Sequence, residues 1–398
     1  MSRDARIVRV FSTLSVAVSL ALSLALCRAN PSMVTATLVF GLLAMTAWHG
    51  VARLRQGRAV NVILAAALLN LLIVVPELAL RLRDFRYEAG IQFGYPRPSR
   101  FAQLQPDPQL FWRRSREDRT VNSLGFVGRE VPRPKPKGWF RIIFLGDSVT
   151  EQGFPEVVGH MLNLARSSDS LRYECVSLAT AGYSSYQGRV LAELYGTTLE
   201  PDAAVVLFGW NDHYRAYGAP DAQKSMPRGT PTSGRLSQIR QESRLVQLAA
   251  WVKDTLRGTR PRPLDELRVS PKDYRENLTH IHELFRKVGI PVVFLTAPTS
   301  HYRLDAPDYL VEREFATDKA SSMELHRGYN GIVREVADST GAIMLDLESE
   351  LGSLPPRDLG ALFSRDGIHL SLAGVAIVSA RITETLQQRV APPAVHTR

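Results

Sequence analysis

Arg141-Ile142-Ile143-Phe144-Leu145-Gly146-Asp147-Ser148 is the stretch whose reading decides the fold. Ile142 to Leu145 form the short, unbroken apolar run expected of a strand buried on both faces. A glycine directly behind that run permits a sharp turn, which lifts the next side chains to the edge of the sheet. A serine at the C-terminal end of a parallel strand stands where open α/β sheets bind their ligands. Gly-Asp-Ser alone is a weak signal, because it also reads as an ordinary turn and helix cap. Its weight comes from Asp366-Gly367-Ile368-His369, far along the chain. Together the two segments supply Ser, His and Asp, the groups that activate a hydroxyl for attack on an acyl carbon.

Outward from this strand the chain alternates. Amphipathic helix is predicted over Phe154–Arg166, strand over Tyr173–Leu178, helix over Tyr186–Tyr195 and strand over Ala203–Phe208. Ser270-Pro271 opens a helix to Lys287, with serine as N-cap and proline at the first helical position. Strand Pro291–Thr296, helix Met323–Ser339, strand Ala342–Leu347 and helix Leu372–Arg389 follow. Such alternation predicts a three-layer α/β/α sandwich around a parallel sheet over residues 139–392. Residues 213–269 interrupt the rhythm with a basic stretch carrying one amphipathic helix near Leu236–Leu256. It reads equally as a surface insertion or, since it follows a strand's C-terminal edge, as a substrate-contacting lid.

Four blocks in order resemble the SGNH (GDSL-type) hydrolases over roughly Gly138–Arg389. They are Gly146-Asp147-Ser148-Val149-Thr150, Ala179-Thr180-Ala181-Gly182-Tyr183-Ser184, Gly209-Trp210-Asn211-Asp212 and Asp366-Gly367-Ile368-His369. The resemblance implies a flavodoxin-like fold with Ser148 as nucleophile, His369 as base and Asp366 as its orienting acid. It also implies an oxyanion hole from the N–H groups of Ser148 and Gly182 and the amide of Asn211. One departure is visible in the second block, where many relatives carry Asn and a further Gly and this chain has Ser177 and Ala179. The residues argue for the same roles: a free hydroxyl needs a base, and imidazole both takes and returns a proton near neutral pH. Asp147 reads as structural, bonding the turn amides. Asp212-His213 does not read as a metal site, since two adjacent side chains rarely converge on one ion. Trp210 and His301 are candidate substrate contacts, with Tyr302 and Arg303 following His301 at a strand's C-terminal edge.

The N-terminal region, 1–82, is of another kind. Val10–Leu26, Val34–Ala47 and Val60–Val75 are long apolar stretches, the last extending through Pro76-Glu77 to Leu80. Each approaches the roughly 20 residues a helix needs to cross a bilayer. Arg3, Arg6 and Arg9 precede the first, and Arg53, Arg55 and Arg58 fill the second loop. Placing both sets inside leaves the chain beyond Leu80 outside the cytoplasm, a multi-pass topology of the cytoplasmic membrane. Arg81, Arg83 and Arg86 weigh against it. Residues 83–138 are proline-rich and read as an extended connector with an ordered turn at Asn122–Gly128.

Only Cys27 and Cys175 are present, which excludes a disulfide framework, and no zinc spacing or cofactor motif is found. The formal charge of +10 comes from scattered residues without a nucleic-acid signature, so membrane lipid or an envelope polymer is the expected partner. Three functions fit: an esterase removing acyl groups, foremost O-acetyl, from envelope carbohydrate or lipid; an O-acyltransferase with the same triad and a membrane acyl-donor partner; and a non-catalytic binding module. Phosphodiester hydrolysis is remote, because it usually wants a metal cluster.

Overall fold

A computed structural model describes residues 76–83, 85, 87, 104–115, 118–166, 171–224, 243–258, 263–312 and 315–390. The three apolar stretches lie outside these residues, except for 76–80 at the end of the last. Among the described residues no helix is long and apolar enough to cross a membrane. The chain forms two compact units, one of Met1–Ala89 with Thr232–Gly258, the other of Gly90–Pro231 with Thr259–Arg398.

The strands are β1 (Leu104–Asp107), β2 (Phe111–Arg114), β3 (Trp139–Gly146), β4 (Arg172–Ser177), β5 (Ala203–Leu207), β6 (Arg215–Tyr217), β7 (Pro263–Leu267), β8 (Val292–Leu295) and β9 (Ile343–Leu345). The main helices are α1 (Ser148–Glu151), α2 (Phe154–Ala165), α3 (Ser185–Tyr195), α4 (Arg244–Leu256), α5 (Pro271–Arg286), α6 (Lys319–Thr340) and α7 (Leu372–Arg389).

Five strands make the central sheet of the larger unit in the order β4-β3-β5-β8-β9, and every pairing is parallel. Counted within the sheet this is 2-1-3-4-5, the flavodoxin-like order, whose reversal point lies between β3 and β5. The period of two along β3 separates two cores. Ile143 and Leu145 join the cluster under α3, α5 and α6, while Phe140, Ile142 and Phe144 join that under α2 and α7. A buried parallel sheet covered on both faces follows from that double-sided apolar pattern.

The helix starts follow their caps. Ser270 accepts the Asp273 amide at 3.1 Å ahead of Pro271, and Ser184 forms a capping box with Gln187. α6 begins at Lys319, four residues before the expected Met323, because Asp318 caps it through the Ser321 amide at 2.9 Å. β9 stops at Leu345, before the expected Leu347, because the Asp346 carboxylate caps the next helix, Leu347–Gly352.

Two expectations need correction. The segment 83–138 is not simply an extended connector, because its described part is folded into the core. Asp107 accepts the amides of Gln109 and Leu110 at 2.9 and 2.8 Å, closing a hairpin of β1 and β2. Trp112 and Phe126 are fully buried. The prolines stiffen the segment, but burial of Leu110, Phe111 and Trp112 offsets the entropy lost in ordering it. The insertion 213–269 is also not one element. Its ends pair as the antiparallel β6 and β7 within the larger unit, while α4 belongs to the smaller one. Helix begins at Arg244, where Ser243 caps it; residues 236–242 of the expected helix lie outside the described residues.

Beneath the loop after β5 lies a buried histidine pair. His326 Nε2 is 2.8 Å from the Ala297 carbonyl, which can only accept, so Nε2 carries the proton and Nδ1 is an acceptor. His213 Nε2, 3.1 Å from that Nδ1, therefore donates, and both rings are neutral. Burial lowers both, that of His326 to about 4, with repulsion between the two rings adding to the effect on His213. Between about pH 6.5 and its lowered value each histidine holds fewer protons folded than unfolded, so stability falls as pH drops through that window. For His326, lowered to about 4, the window holds about 3 kcal/mol. Asp147 and Asp212, raised by burial to about 6 and about 7, act in the opposite direction, because protonation relieves a buried charge. Comparison with His326→Gln, whose amide can keep both hydrogen bonds, separates the two. Urea midpoints taken from pH 7.5 down to pH 5 are expected to fall further for the wild type than for the variant, and equal slopes would refute the assignment.

Candidate active site

The site is built on the end of β3. A Cβ on Gly146 would stand 2.0 Å from Thr150 Oγ1, so only glycine lets α1 fold back over the strand. Lack of room, rather than a left-handed backbone, is what selects glycine here. Asp147 caps α1, accepting the Val149 amide at 2.9 Å, as its structural reading implied. Ser148 opens α1 and is only half-buried.

His369 arrives from the loop before α7. Its Nε2 is 2.8 Å from Ser148 Oγ and its Nδ1 2.6 Å from Asp366 Oδ2. The Asp366 carboxylate accepts from Nδ1, which leaves Nε2 unprotonated and facing the serine. Asp366 Oδ1 also takes the amides of Ile368 and His369 at 3.0 and 2.9 Å. Burial works to raise the Asp366 carboxyl, but the bond from His369, its charge and these amides hold it well below the usual carboxylate range. Gln152 ties the two halves together: its side-chain amide donates to the Leu370 carbonyl at 3.1 Å and accepts the Leu370 amide at 2.9 Å.

The turn through Gly367 needs a left-handed backbone, φ 65°, and close approach, since a Cβ would meet His301 Nε2 at 2.4 Å. His301 is itself buried and donates from Nε2 to the Asp366 carbonyl at 2.7 Å. Trp210 is buried too, lying on His326 with ring centroids 4.0 Å apart. Both were expected against substrate, and the structure places both under the loops instead. Sequence gives their position at a strand end but not the direction in which the ring points. Tyr302 is half-buried and donates to Glu348 at 2.5 Å, while Arg303 is exposed.

Of the expected oxyanion donors, the N–H groups of Ser148 and Gly182 meet no acceptor among the described residues. Asn211 differs: its Nδ2 donates to Asp147 Oδ2 and to the Tyr183 carbonyl, both at 3.0 Å. Both amide hydrogens are thus engaged. The neighbouring Asp212 accepts the amides of Ser185 and Gly209 at 2.8 and 3.1 Å, while His213 bonds His326, so the adjacent pair serves two separate purposes.

The loop carrying Gly182, φ 85°, is held largely by residues outside the motif blocks. Trp112 donates from its indole to the Ala181 carbonyl at 3.1 Å, and the Tyr183 hydroxyl donates to the Trp112 carbonyl at 2.6 Å. Arg114 grips Glu151 through two bonds of 2.7 and 2.5 Å, and Glu151 Oε2 accepts the Ala181 amide at 3.2 Å. Arg268, wholly buried, donates to the Gly182 carbonyl at 2.9 Å and to Asp221 at 2.7 Å. Asp221 also receives Ser184 and Lys224, each at 2.7 Å. Burial works to raise the Asp221 carboxyl, yet Arg268 and Lys224 bring it down to about 2. Tyr183 and Ser184 lie in the second block and Glu151 in the first turn after Ser148; Trp112, Arg114, Asp221 and Arg268 had no such signal.

A model of the GDSL-like lipase/acylhydrolase family matches residues 144–377, more than half of the chain. No curated protein matches the sequence. Similar solved structures include a lipase/acylhydrolase from Enterococcus faecalis, 15% identical over 63% of this chain and 96% of that one, with a TM-score of 0.41. An acetyl xylan esterase from Geobacillus stearothermophilus is 14% identical over 62% of this chain and 94% of that one, TM-score 0.38. A GDSL-like lipase from Bacteroides thetaiotaomicron is 15% identical over 65% and 92%, TM-score 0.39. With the matched family model spanning Ser148, the second and third blocks and the loop of Asp366 and His369, the chain belongs to the GDSL-like lipase/acylhydrolase family and is an esterase.

Proposed function

We propose that this esterase removes acyl groups, O-acetyl foremost, from an envelope carbohydrate or lipid through a Ser148-His369-Asp366 triad and an acyl-enzyme. The observation that carries the mechanism is the unbroken chain from Ser148 Oγ to His369 Nε2 at 2.8 Å and from Nδ1 to Asp366 at 2.6 Å. In the first half-reaction Nε2 takes the hydroxyl proton as Oγ bonds to the acyl carbon. The carbonyl oxygen becomes an oxyanion beside the N–H groups of Ser148 and Gly182, where each preorganised donor is worth roughly 3–4 kcal/mol in such sites. Asp366 keeps the imidazole in the right tautomer and stabilises the imidazolium. That proton then passes to the departing alkoxide as the ester bond breaks. Water repeats the sequence on the acyl-enzyme and releases the acid. Asn211 joins the oxyanion hole by sharing one hydrogen now directed at Asp147 or Tyr183. Placement of the domain outside the cytoplasm, behind three membrane spans, is what supports an envelope substrate.

Ser148→Ala is expected to lower ester turnover by roughly 10⁴-fold or more. A fluorophosphonate should label the wild type once, on Ser148; an adduct elsewhere would sink the triad. Run with and without carbohydrate acceptors, the same p-nitrophenyl acetate assay separates esterase from transferase, since acceptor-independent release is expected and strict acceptor dependence would favour acyl transfer. Trp112→Phe keeps the ring but removes the indole bond to the oxyanion loop. Its kcat should fall about fivefold, the ~1 kcal/mol net worth of one hydrogen bond, with KM nearly unchanged. An effect on KM alone would show that the loop serves substrate binding instead. A reporter that works only outside the cytoplasm, fused after Arg398, should be active; activity of a cytoplasm-only reporter would reverse the topology and remove the case for an envelope substrate.

A further inference from the structure

α4 is an amphipathic helix turned inside out. Along it Arg244, Gln247, Trp251 and Asp254 recur at helical spacing on one face, and Leu245, Ala249, Val252 and Leu256 on the opposite one. In a helix packed on a water-soluble core the aliphatic face would be covered. Here Arg244 and Gln247 are buried, while Val252 is 41% and Leu256 82% exposed.

That face is bound by Glu77, Phe85 and Tyr87. Glu77 accepts the first two amides of α4, from Arg244 at 3.0 Å and Leu245 at 2.9 Å, beside the Ser243 cap on Val246. This satisfies three of the N–H groups that a helix start leaves without partners. Further along, the Tyr87 hydroxyl donates to Asp254 at 2.8 Å, its amide donates to Gln247 at 3.0 Å, and Phe85 meets Trp251 edge-on.

We infer that the aliphatic face of α4 lies in the interfacial layer of a lipid bilayer. Glu77 lies near the end of the third apolar stretch, Val60 through Leu80, so the residue that holds the start of α4 belongs to that stretch. A helix tied to an apolar stretch long enough to cross a bilayer, with an aliphatic face outward, is held within reach of the same bilayer. Lys253 and Arg257, both exposed, suit anionic headgroups at its border. Three exposed side chains, Ala249, Val252 and Leu256, with Leu245 half-buried beside them, are a small patch beside the roughly 800 Å² per partner of a stable protein interface, which favours lipid over a second copy. The inference rests on the membrane placement proposed above.

The test uses the full chain in phosphatidylethanolamine–phosphatidylglycerol vesicles, with Cys27 and Cys175 replaced by serine. Nitroxide labels are attached at Val252→Cys, Leu256→Cys and, as a control on β7, Glu266→Cys. Oxygen concentrates in lipid and a nickel chelate stays in water. Labels at 252 and 256 should show a severalfold higher ratio of oxygen to nickel collisions than the label at 266. Membrane-retained protein whose 252 and 256 labels meet the nickel chelate as freely as the control would overturn the placement of α4 alone. Labels shielded from both reagents would also overturn it, with a protein surface as the cover. Release of the chain by a carbonate wash would instead refute the membrane reading beneath it.

Discussion

Everything at the site depends on a lack of room at Gly146. Thr150 occupies the space a Cβ would take, so the chain can turn over the end of β3 within one residue and bring Ser148 to the edge. Because β3 and β5 flank the reversal of strand order, their two loops open side by side, and the crevice between them is left uncovered by any crossover helix. The third block enters that crevice from β5 and the histidine loop closes it. The position of Ser148 is thus a property of the sheet, and the loop carrying His369 is tied to it by Gln152 and Leu370.

The oxyanion loop is secured differently. A backbone N–H aimed at a developing charge must not turn away. Within Ala179–Ser184 one turn bond, from the Tyr183 amide to the Thr180 carbonyl at 3.1 Å, fixes the shape of the turn, and its place in the domain is set from outside. Restraint comes from Trp112 and Arg114 on one side and Arg268 on the other. Arg268 and Asp221 are wholly buried, an arrangement whose desolvation cost offsets much of its attraction. Its use is geometric: the guanidinium fork holds the Gly182 carbonyl and the carboxylate at once, in directions fixed by its plane.

How much of this was legible in the sequence depends on how local the cause was. β3, β5 and β8 announce themselves by apolar runs, and α5 by Ser270-Pro271, because strand burial and helix capping are decided within a few residues. Ser148, His369 and Asp366 were legible as candidates because their order along the chain repeats a pattern; the 2.8 Å between Ser148 Oγ and His369 Nε2 is seen only in the folded chain. Trp112 was not legible as part of the site, since its partner Ala181 is 69 residues away and nothing near it signals the contact. Trp210 and His301 stood in the right loops, but whether an aromatic ring faces solvent or the core is settled by the packing of His326 and Asp366 against them. α4 was seen as amphipathic, yet amphipathicity alone does not say which face is turned inward.

The β6–β7 ladder has a bearing on how such a chain can change over time. Tyr217 stands opposite Pro263, and a few residues on Asp221 accepts from Ser184 and Arg268 of the domain. Exit and return are therefore stapled at one place. Segments between them are free to lengthen, shorten or be exchanged without disturbing Arg268 or the Gly182 loop, so this doorway offers the fold a port for acquiring new elements while its chemistry stays intact.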